Sequence, residues 1–315
     1  MADSSEALNE DRLAKAYSNL RDAIMEEKKV VQLYRRDFFD ICIQTVDSLR
    51  TRVQPEPQGF AKKIVEDCGR MVPVRNHIID WVLLESEVAP TGRFTEALLE
   101  FMERLRALKL RPSEVTAWNE SWFEAHKLFV YEIFLYVVAA LLKTKAYECV
   151  HELFWGRFIQ GPEEPTGLSP FVRFDDFYAH SELINSVLAP PNQRLFSPAA
   201  ELISKQAHRK DIGFPDLIEA DLLALLIAFV DPEVRWYPQL MLYAQRVRRF
   251  PLFVRASVHK DFMNLAKITG IDDVNTLKAK VNEGQNRLNV ANWNAFVFDR
   301  SFAEALNLER LDTLK

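Results

Sequence analysis

Apolar side chains recur at helical spacing along most of the chain. Residues 9–53 contain no Gly or Pro, and apolar positions there follow one another mainly at steps of three, four or seven. These steps predict one helix of about 40 residues, or two helices broken near Glu26–Lys29 and ended by Pro55 and Pro57. The apolar positions are Leu13, Tyr17, Leu20, Ile24, Val31, Tyr34, Phe38, Ile41 and Val46.

The average step in this N-terminal segment is close to that of a coiled-coil seam. Two interpretations stay open. The apolar stripe lies on the chain's own body, or residues 9–53 contact a partner protein or a second copy of the chain. We therefore treat residues 1–57 as a long helical, coiled-coil-like segment and expect a protein partner or self-association there.

The following segments also predict helices. Residues 60–88 are helical in pattern, with a break expected near Pro73, and residues 91–110 form a strong amphipathic helix. The apolar run from 128 to 142 is shorter than the roughly 20 residues that span a bilayer, so it predicts a buried core helix and no membrane. The stripe of the amphipathic helix is Phe94, Leu98, Phe101, Leu105 and Leu108.

A loop with three Pro and three Gly, residues 156–170, is the best candidate for a boundary or a mobile connection within the second domain, 58–315. Beyond it, further helices are expected to begin at the prolines 215, 238 and 251. The stretch from 288 to 298 is less helical and predicts a short strand pair near the C-terminus. The expected fold is all-α: an elongated multi-helix domain with a long N-terminal helix.

The composition of the chain limits the cofactors and metal ions that it is expected to bind. The 315 residues carry a net charge of −5 and only nine glycines, and they contain no phosphate-binding glycine loop. Cys42, Cys68 and Cys149 form no CxxC pair, which predicts reduced, buried thiols in a cytoplasmic protein. The pattern Glu148-x-x-His151 lacks the second copy that a di-iron bundle needs. We expect no metal and no cofactor.

Two acids stand inside strongly apolar helices. Glu132 lies in FVYEIFLYVV and Asp221 in IEADLLALLIAF. Burial raises the pKa of such a carboxyl group, and a perturbed group of this kind can be catalytic. We expect a structural role instead, with each acid paired to a cation between helices. Arginines of the segment 235–260 are the expected partners.

That segment combines cationic and aromatic side chains and contains no Asp or Glu. Such a mixture suits a nucleic acid or a nucleotide, because Arg binds phosphate and aromatic rings stack on bases. Alternatively the arginines neutralise the acids at 216, 219 and 221. We expect Arg249 to be paired internally and Arg248 to be freer. The binding candidates are Arg235, Tyr243, Arg246, Arg248, Arg249, Arg255 and Lys260.

Arg70 and His77 are separated by six residues, which resembles the loosest form of the Arg–His pattern of the helical HEPN ribonucleases. In that chemistry Arg stabilises phosphorane charge and His moves protons. Met71 stands where that family prefers a polar residue. A HEPN-like ribonuclease is therefore an alternative function.

Four stretches of the chain are rich in aromatic side chains: FVYEIFLYVVAALLK (129–143), FDDFY (174–178), FPDLIEADLLALL (214–226) and WYPQLMLYAQRVRRFPLFVRA (236–256). They resemble a helical region of bacterial proteins associated with anti-phage defence. In those proteins the region follows a TIR or SEFIR domain, and the similarity covers roughly residues 95–298. The resemblance implies a bacterial, non-enzymatic interaction, sensor or regulatory module. Residues 1–90 lack the alternation of strands and helices of a TIR or SEFIR domain, so no NAD-cleaving activity is inherited.

Overall fold

The computed structural model describes residues 2–88, 92–160, 169–243, 249–290 and 302–315. It describes the side chains of these residues except at 2–9, 288–290 and 302. The described residues form thirteen α-helices and one two-stranded sheet, so the predicted all-α fold is confirmed.

The N-terminal segment is a helical hairpin. Helix α1 (Ala2–Met25) and helix α2 (Val31–Asp47) pack against each other, so the alternative with two helices is correct. Glu27 has a φ of 50° and the Lys28 amide bonds to the Ala23 carbonyl, which ends α1 without Gly or Pro.

The apolar stripe of this hairpin lies in the chain's own core. Leu13, Leu20, Phe38 and Val46 are almost completely buried in the same cluster as the rest of the interior. This favours the interpretation that the stripe packs on the chain's own body. Contact with a partner through residues 9–53 stays a prediction.

Helix α3 (Phe60–Val88) runs without interruption through Pro73, so the expected break there is wrong. A proline inside a helix removes one backbone hydrogen bond and costs about 3 kcal/mol. Burial of neighbouring side chains such as Met71 and Val74 offsets that cost, because α3 packs against α1 and against the helix formed by residues 124–143.

Helix α4 (Arg93–Arg106) carries the first four positions of the predicted apolar stripe and the 3₁₀ turn after it, Ala107–Lys109, carries Leu108; all five are buried. Helix α5 (Glu124–Lys143) is the centre of the molecule, and every residue from Leu128 to Leu141 is buried. In the described chain, one helical stretch, Glu120–Lys143, is long and apolar enough to cross a membrane, but 89% of its apolar window is buried inside the protein. The interpretation as a core helix is confirmed.

Helix α6 (Tyr147–Trp155) leads into the Pro/Gly-rich loop. Strands β1 (Phe158–Ile159) and β2 (Phe171–Val172) pair antiparallel across that loop, with Phe158 opposite Val172. A strand pair therefore exists, but not where we expected it. Of the stretch 288–298, residues 288–290 end a helix and 291–298 lie outside the described residues.

The C-terminal half adds seven helices. Two begin at the expected prolines 215 and 251, whereas Pro238 is followed by only a 3₁₀ turn in the described part, Gln239–Tyr243. Helix α5 packs between α3 and α9, and α12 covers the other side of α9. The helices are α7 (Asn185–Leu188), α8 (Pro198–Gln206), α9 (Phe214–Val230), α10 (Pro251–Arg255), α11 (His259–Thr269), α12 (Val274–Val290) and α13 (Phe302–Ala305).

All three cysteines are buried and form no disulfide. Cys42 lies in α2, Cys68 in α3 and Cys149 in α6. Burial raises the pKa of each thiol, and most strongly for Cys42 and Cys68.

Candidate functional site

Glu132 joins two central helices. Its side chain on α5 is buried, and its Oε1 atom accepts a hydrogen bond of 2.5 Å from Nη1 of Arg75 on α3. The Arg75 guanidinium also lies 4.7 Å from the centre of the Tyr136 ring. Burial raises the pKa of the Glu132 carboxyl, and Arg75 opposes that rise. The cation therefore comes from α3, and the expected partner from 235–260 is wrong.

Asp221 has no cationic partner among the described residues, so that part of the expectation is wrong too. This α9 side chain is completely buried. Its Oδ1 accepts hydrogen bonds from the Trp236 indole at 2.8 Å and the Tyr131 hydroxyl at 3.3 Å, and its Oδ2 accepts one from the Leu240 amide at 2.8 Å. Burial raises the pKa of this carboxyl to about 7. Asp221 thus attaches the irregular segment before Tyr243 to the helical core.

Glu219 lies two residues before Asp221 but faces a cavity. The cavity has a volume of about 250 Å³ and lies between the end of α5, the start of α6, the first turns of α9, and helices α10 and α11. Glu219 is 8% exposed, and its Oε1 accepts a hydrogen bond of 2.6 Å from the Leu252 amide at the start of α10. Burial raises the pKa of the Glu219 carboxyl to about 7.

The Arg-rich segment is organised differently from both expectations. Its described cations, Arg235, Arg249, Arg255 and Lys260, are exposed. The aromatic rings turn inward instead: Trp236 is 2% exposed and Phe253 0%. Neither buried ring has a free face on which a base could stack.

The structure describes Arg249 and Tyr243 of the binding candidates, but not Arg246 and Arg248. No described residue forms an ion pair with Arg249, so the expected internal pairing of this exposed side chain is wrong. Tyr243 is half-buried, and its hydroxyl donates a hydrogen bond of 3.1 Å to the Ser197 carbonyl. Arg246 and Arg248 lie outside the described residues.

Arg70 and His77 do not form a shared site in α3. Arg70 pairs with Asp67 at 3.3 Å on the outer surface. The His77 ring is half-buried and packs 5.3 Å from the Tyr17 ring of α1, and burial lowers the pKa of the imidazole. His77 follows Arg70 by seven positions, which places the two about 10 Å apart along the helix axis. The arrangement gives no support to the ribonuclease alternative.

Glu148 and His151 also have separate contacts. Glu148 pairs with Lys267 at 3.0 Å, and Nδ1 of His151 lies 3.2 Å from the Ile268 carbonyl oxygen. Over the described ranges, no group of three or more His, Cys, Asp or Glu side chains is arranged to hold a metal ion.

An apolar groove, which we name the tryptophan groove, lies between the loop after α2 and the loop before α5. Its volume is about 550 Å³. The second loop is shaped by Asn119, whose side chain accepts a hydrogen bond of 2.9 Å from the Ser121 amide and so begins a 3₁₀ turn. Trp118 is 42% exposed and Val53 76%. The apolar lining is Val53, Pro55, Pro57, Phe60, Trp118 and Trp122.

A second groove of about 480 Å³ continues from the first and shares Val53, Pro55 and Phe60 with it. Four cations and one acid, Glu56, line this basic groove. Each of these cations already pairs with an acid. Asp67, which is only 4% exposed, pairs with two of them, and the part-exposed Asp47 and Glu114 pair with the others. The cationic lining is Arg50, Arg52, Lys63 and Arg70.

Sequence reasoning missed both the tryptophan groove and the cavity at Glu219. For the groove, the available signal was TAWNESWF, where two Trp stand in a polar loop. Large apolar side chains in such a loop indicate an exposed contact surface. For the cavity, the signal was Glu219 between Ile218 and Ala220, which we had treated only as a counter-ion.

Comparison with protein-family models, curated protein sequences and solved structures finds no significant match to this chain.

Proposed function

We propose that this protein is a non-enzymatic interaction module of a bacterial anti-phage defence system, and that it acts in the cytoplasm. The observation that carries the interaction role is the tryptophan groove, where two Trp and two Pro side chains line one exposed surface. Trp is enriched at the energetically dominant positions of protein interfaces. The resemblance of residues 129–143, 174–178, 214–226 and 236–256 supplies the defence context.

The distribution of ionisable groups supports binding rather than catalysis. Glu132 and Asp221 are the two acids that sequence reasoning singled out, and each is enclosed by structural partners. Arg70 and His77 have different neighbours and lie about two turns apart along α3. Among the described residues, none of these candidate groups meets another in a common cleft, as acid–base catalysis requires.

The partner expected in the groove is a protein segment with apolar and acidic side chains. The apolar end of such a segment fits the tryptophan groove, where Trp118 and Trp122 would cover it. Its acidic end fits the adjoining basic groove, where Arg52 and Arg70 are about one-third to one-half exposed and where it would compete with the acids that now pair with them. A segment of the opposite charge would meet like charges at the same place.

The experiment is co-expression of this chain with the proteins encoded beside its gene, followed by co-purification and titration of the purified partner. The double variant Trp118→Ala/Trp122→Ala should lose the partner and weaken protection against phage. The matched control is Phe196→Ala, because Phe196 is 77% exposed and lines neither groove. Both variants should keep the wild-type circular dichroism spectrum.

Three outcomes would contradict the proposal. Undiminished partner binding by the double variant would exclude the groove. A doubled mass in light scattering that the double variant abolishes would identify a second copy as the occupant. RNA cleavage by the purified chain that Arg70→Ala/His77→Ala abolishes would replace the interaction module with the ribonuclease alternative.

A further inference from the structure

The cavity at Glu219 is built by five separate parts of the chain. The end of α5 and the turn after it supply one wall, Tyr147 at the start of α6 another, and α9, α10 and α11 the remainder. Its volume of about 250 Å³ is below the usual 300–1,000 Å³ of pockets for drug-sized molecules. The geometry therefore suits a ligand of metabolite size.

Glu219 is the buried charged group of this cavity. Its Oε1 is bound to the Leu252 amide, a neutral donor, at 2.6 Å. Burial is the main cause of its raised pKa, whereas Arg255 acts in the opposite direction only weakly. A buried carboxylate is stabilised by a nearby cation. A cationic group placed inside the cavity would supply that cation.

The rim carries charges of both signs. Asp216 and Asp261 are acidic, and Lys143, Lys145 and Arg255 are basic. Lys143 is already engaged, because its Nζ donates to the Asp211 carbonyl. Arg255 is exposed and lines the cavity from α10, the helix whose Leu252 amide binds Glu219.

Tyr147 lines the same cavity as these charged groups. Burial raises the pKa of its hydroxyl, with smaller contributions from Asp261, Arg255 and Glu219. The two acids and the guanidinium group belong to three different helices, and all three line the cavity. A ligand seated at Tyr147 would meet both signs of charge at once.

We propose that this cavity binds a small zwitterion of the amino-acid type. The ammonium group lies between Glu219 and Asp261, and the carboxylate group accepts hydrogen bonds from Arg255. A ligand with only one charged group satisfies only one of these two sets. The site is separate from the tryptophan groove and does not depend on the proposed interaction function.

Binding of the ammonium group requires the Glu219 carboxylate, so affinity should fall as the pH drops below about 7. Binding near neutral pH should also release protons, because the ligand's positive charge lowers the pKa of Glu219. The charged and titratable groups that face Glu219 are Lys143, Lys145, Tyr147, Asp216, Arg255 and Asp261.

The test is isothermal titration calorimetry of the full chain with each of the common amino acids at about 1 mM, a concentration that detects a free energy near −4 kcal/mol. At least one amino acid should bind, with proton release in buffers of different ionisation enthalpy. Its decarboxylated amine should bind at least about tenfold more weakly, which corresponds to about 1.4 kcal/mol.

Two variants test the residues. Glu219→Gln keeps the acceptor for the Leu252 amide but loses the charge, so binding should weaken at least about tenfold and proton release should stop. Arg255→Met should weaken the amino acid but not the amine. Arg255 is exposed, so this variant remains folded and testable even if Glu219→Gln is not. Lys260→Met is the matched exposed control and should bind as wild type.

Several results would overturn the proposal. These are no binding by any amino acid, equal binding of the amine and its parent, or unchanged affinity in Arg255→Met. Loss of binding in Lys260→Met would also count against it, since Lys260 does not line the cavity.

Discussion

Two regions of the interior each bury a carboxyl group, and each stabilises it in a different way. At the interface of α3 and α5, the buried carboxylate of Glu132 is neutralised by Arg75. On α9, the buried carboxyl group of Asp221 is surrounded by an indole N–H, a hydroxyl and a backbone amide, with no described cation. The first region therefore contains a pair of opposite charges, and the second contains a single titratable group.

The difference teaches that an acid inside an apolar helix does not specify its partner. An ion pair across two helices fixes their relative position, because each charge is costly to bury alone. Neutral donors from a loop instead attach that loop to the helix. The two solutions also predict opposite dependence on pH, which gives the sharpest way to test the comparison.

Arg75→Met should produce the largest effect. Removing one partner of a buried ion pair costs about 3–5 kcal/mol, so the free energy of unfolding in urea should fall by about that amount near neutral pH. Below the pKa of Glu132 the carboxyl group becomes neutral. The loss should therefore be smaller at pH 5 than at pH 8.

The control for this variant is the double change Arg75→Met/Glu132→Leu, which removes both charges. It should recover much of the lost stability, because apolar side chains of similar volume often replace a buried ion pair at little cost. A double variant as unstable as the single one would show that the charge pair is not the cause.

Asp221→Asn should have the next largest effect, a loss of about 1–3 kcal/mol, because an amide N–H₂ group replaces one acceptor of the Leu240 and Trp236 hydrogen bonds. The folded protein holds the Asp221 proton more tightly than the unfolded chain does. Its contribution to stability is therefore fully present below about pH 4 and declines as the pH rises through about 7.

The loss caused by Asp221→Asn should consequently be larger at pH 5 than at pH 8, the reverse of Arg75→Met. Urea titrations of both variants and of the wild type at the two pH values measure how the loss of unfolding free energy changes with pH, and this change should have opposite signs in the two variants. Equal slopes in the two variants would remove the distinction between the two regions.

Trp118→Ala should lower the free energy of unfolding by less than about 1 kcal/mol, since Trp118 is 42% exposed. Its effect on partner binding should be much larger, as Trp residues often dominate interfaces. Thermal denaturation and titration of the partner on the same variant separate the two. A large loss of stability with no loss of binding would make the groove part of the fold.

Arg249→Ala should have the smallest effect, within about 0.5 kcal/mol of wild type. Arg249 is exposed and has no described ion-pair partner. Urea unfolding would check it. A loss above 2 kcal/mol would restore the internal pairing that the sequence had suggested.

The fold was predictable where periodicity carries the information. The stripe from Phe94 to Leu108 and the core helix around Glu132 follow from spacing alone. The break at Glu27 was only one of two alternatives, because no Gly stands at the residue of positive φ and no Pro interrupts the helical pattern there. Continuity through Pro73 was not predictable, since tertiary packing overrides local preference.

The sites were less predictable because they depend on contacts between distant segments. Arg75 lies 57 residues before Glu132, and nothing local in α3 indicates which acid it meets. For the cationic side chains of the segment 235–260, the sequence left two orientations open: toward buried acids or toward solvent. The structure shows that their aromatic neighbours Trp236 and Phe253 occupy the interior instead.

The three buried thiols provide an intrinsic set of kinetic reporters. Cys42, Cys68 and Cys149 each lie in a different helix, and a thiol-specific reagent reaches a buried cysteine only when its surroundings open. The order in which mass spectrometry finds them labelled would therefore map which helices separate first, without any engineered probe. Ligand or partner binding that slows one labelling rate alone would locate the segment it stabilises.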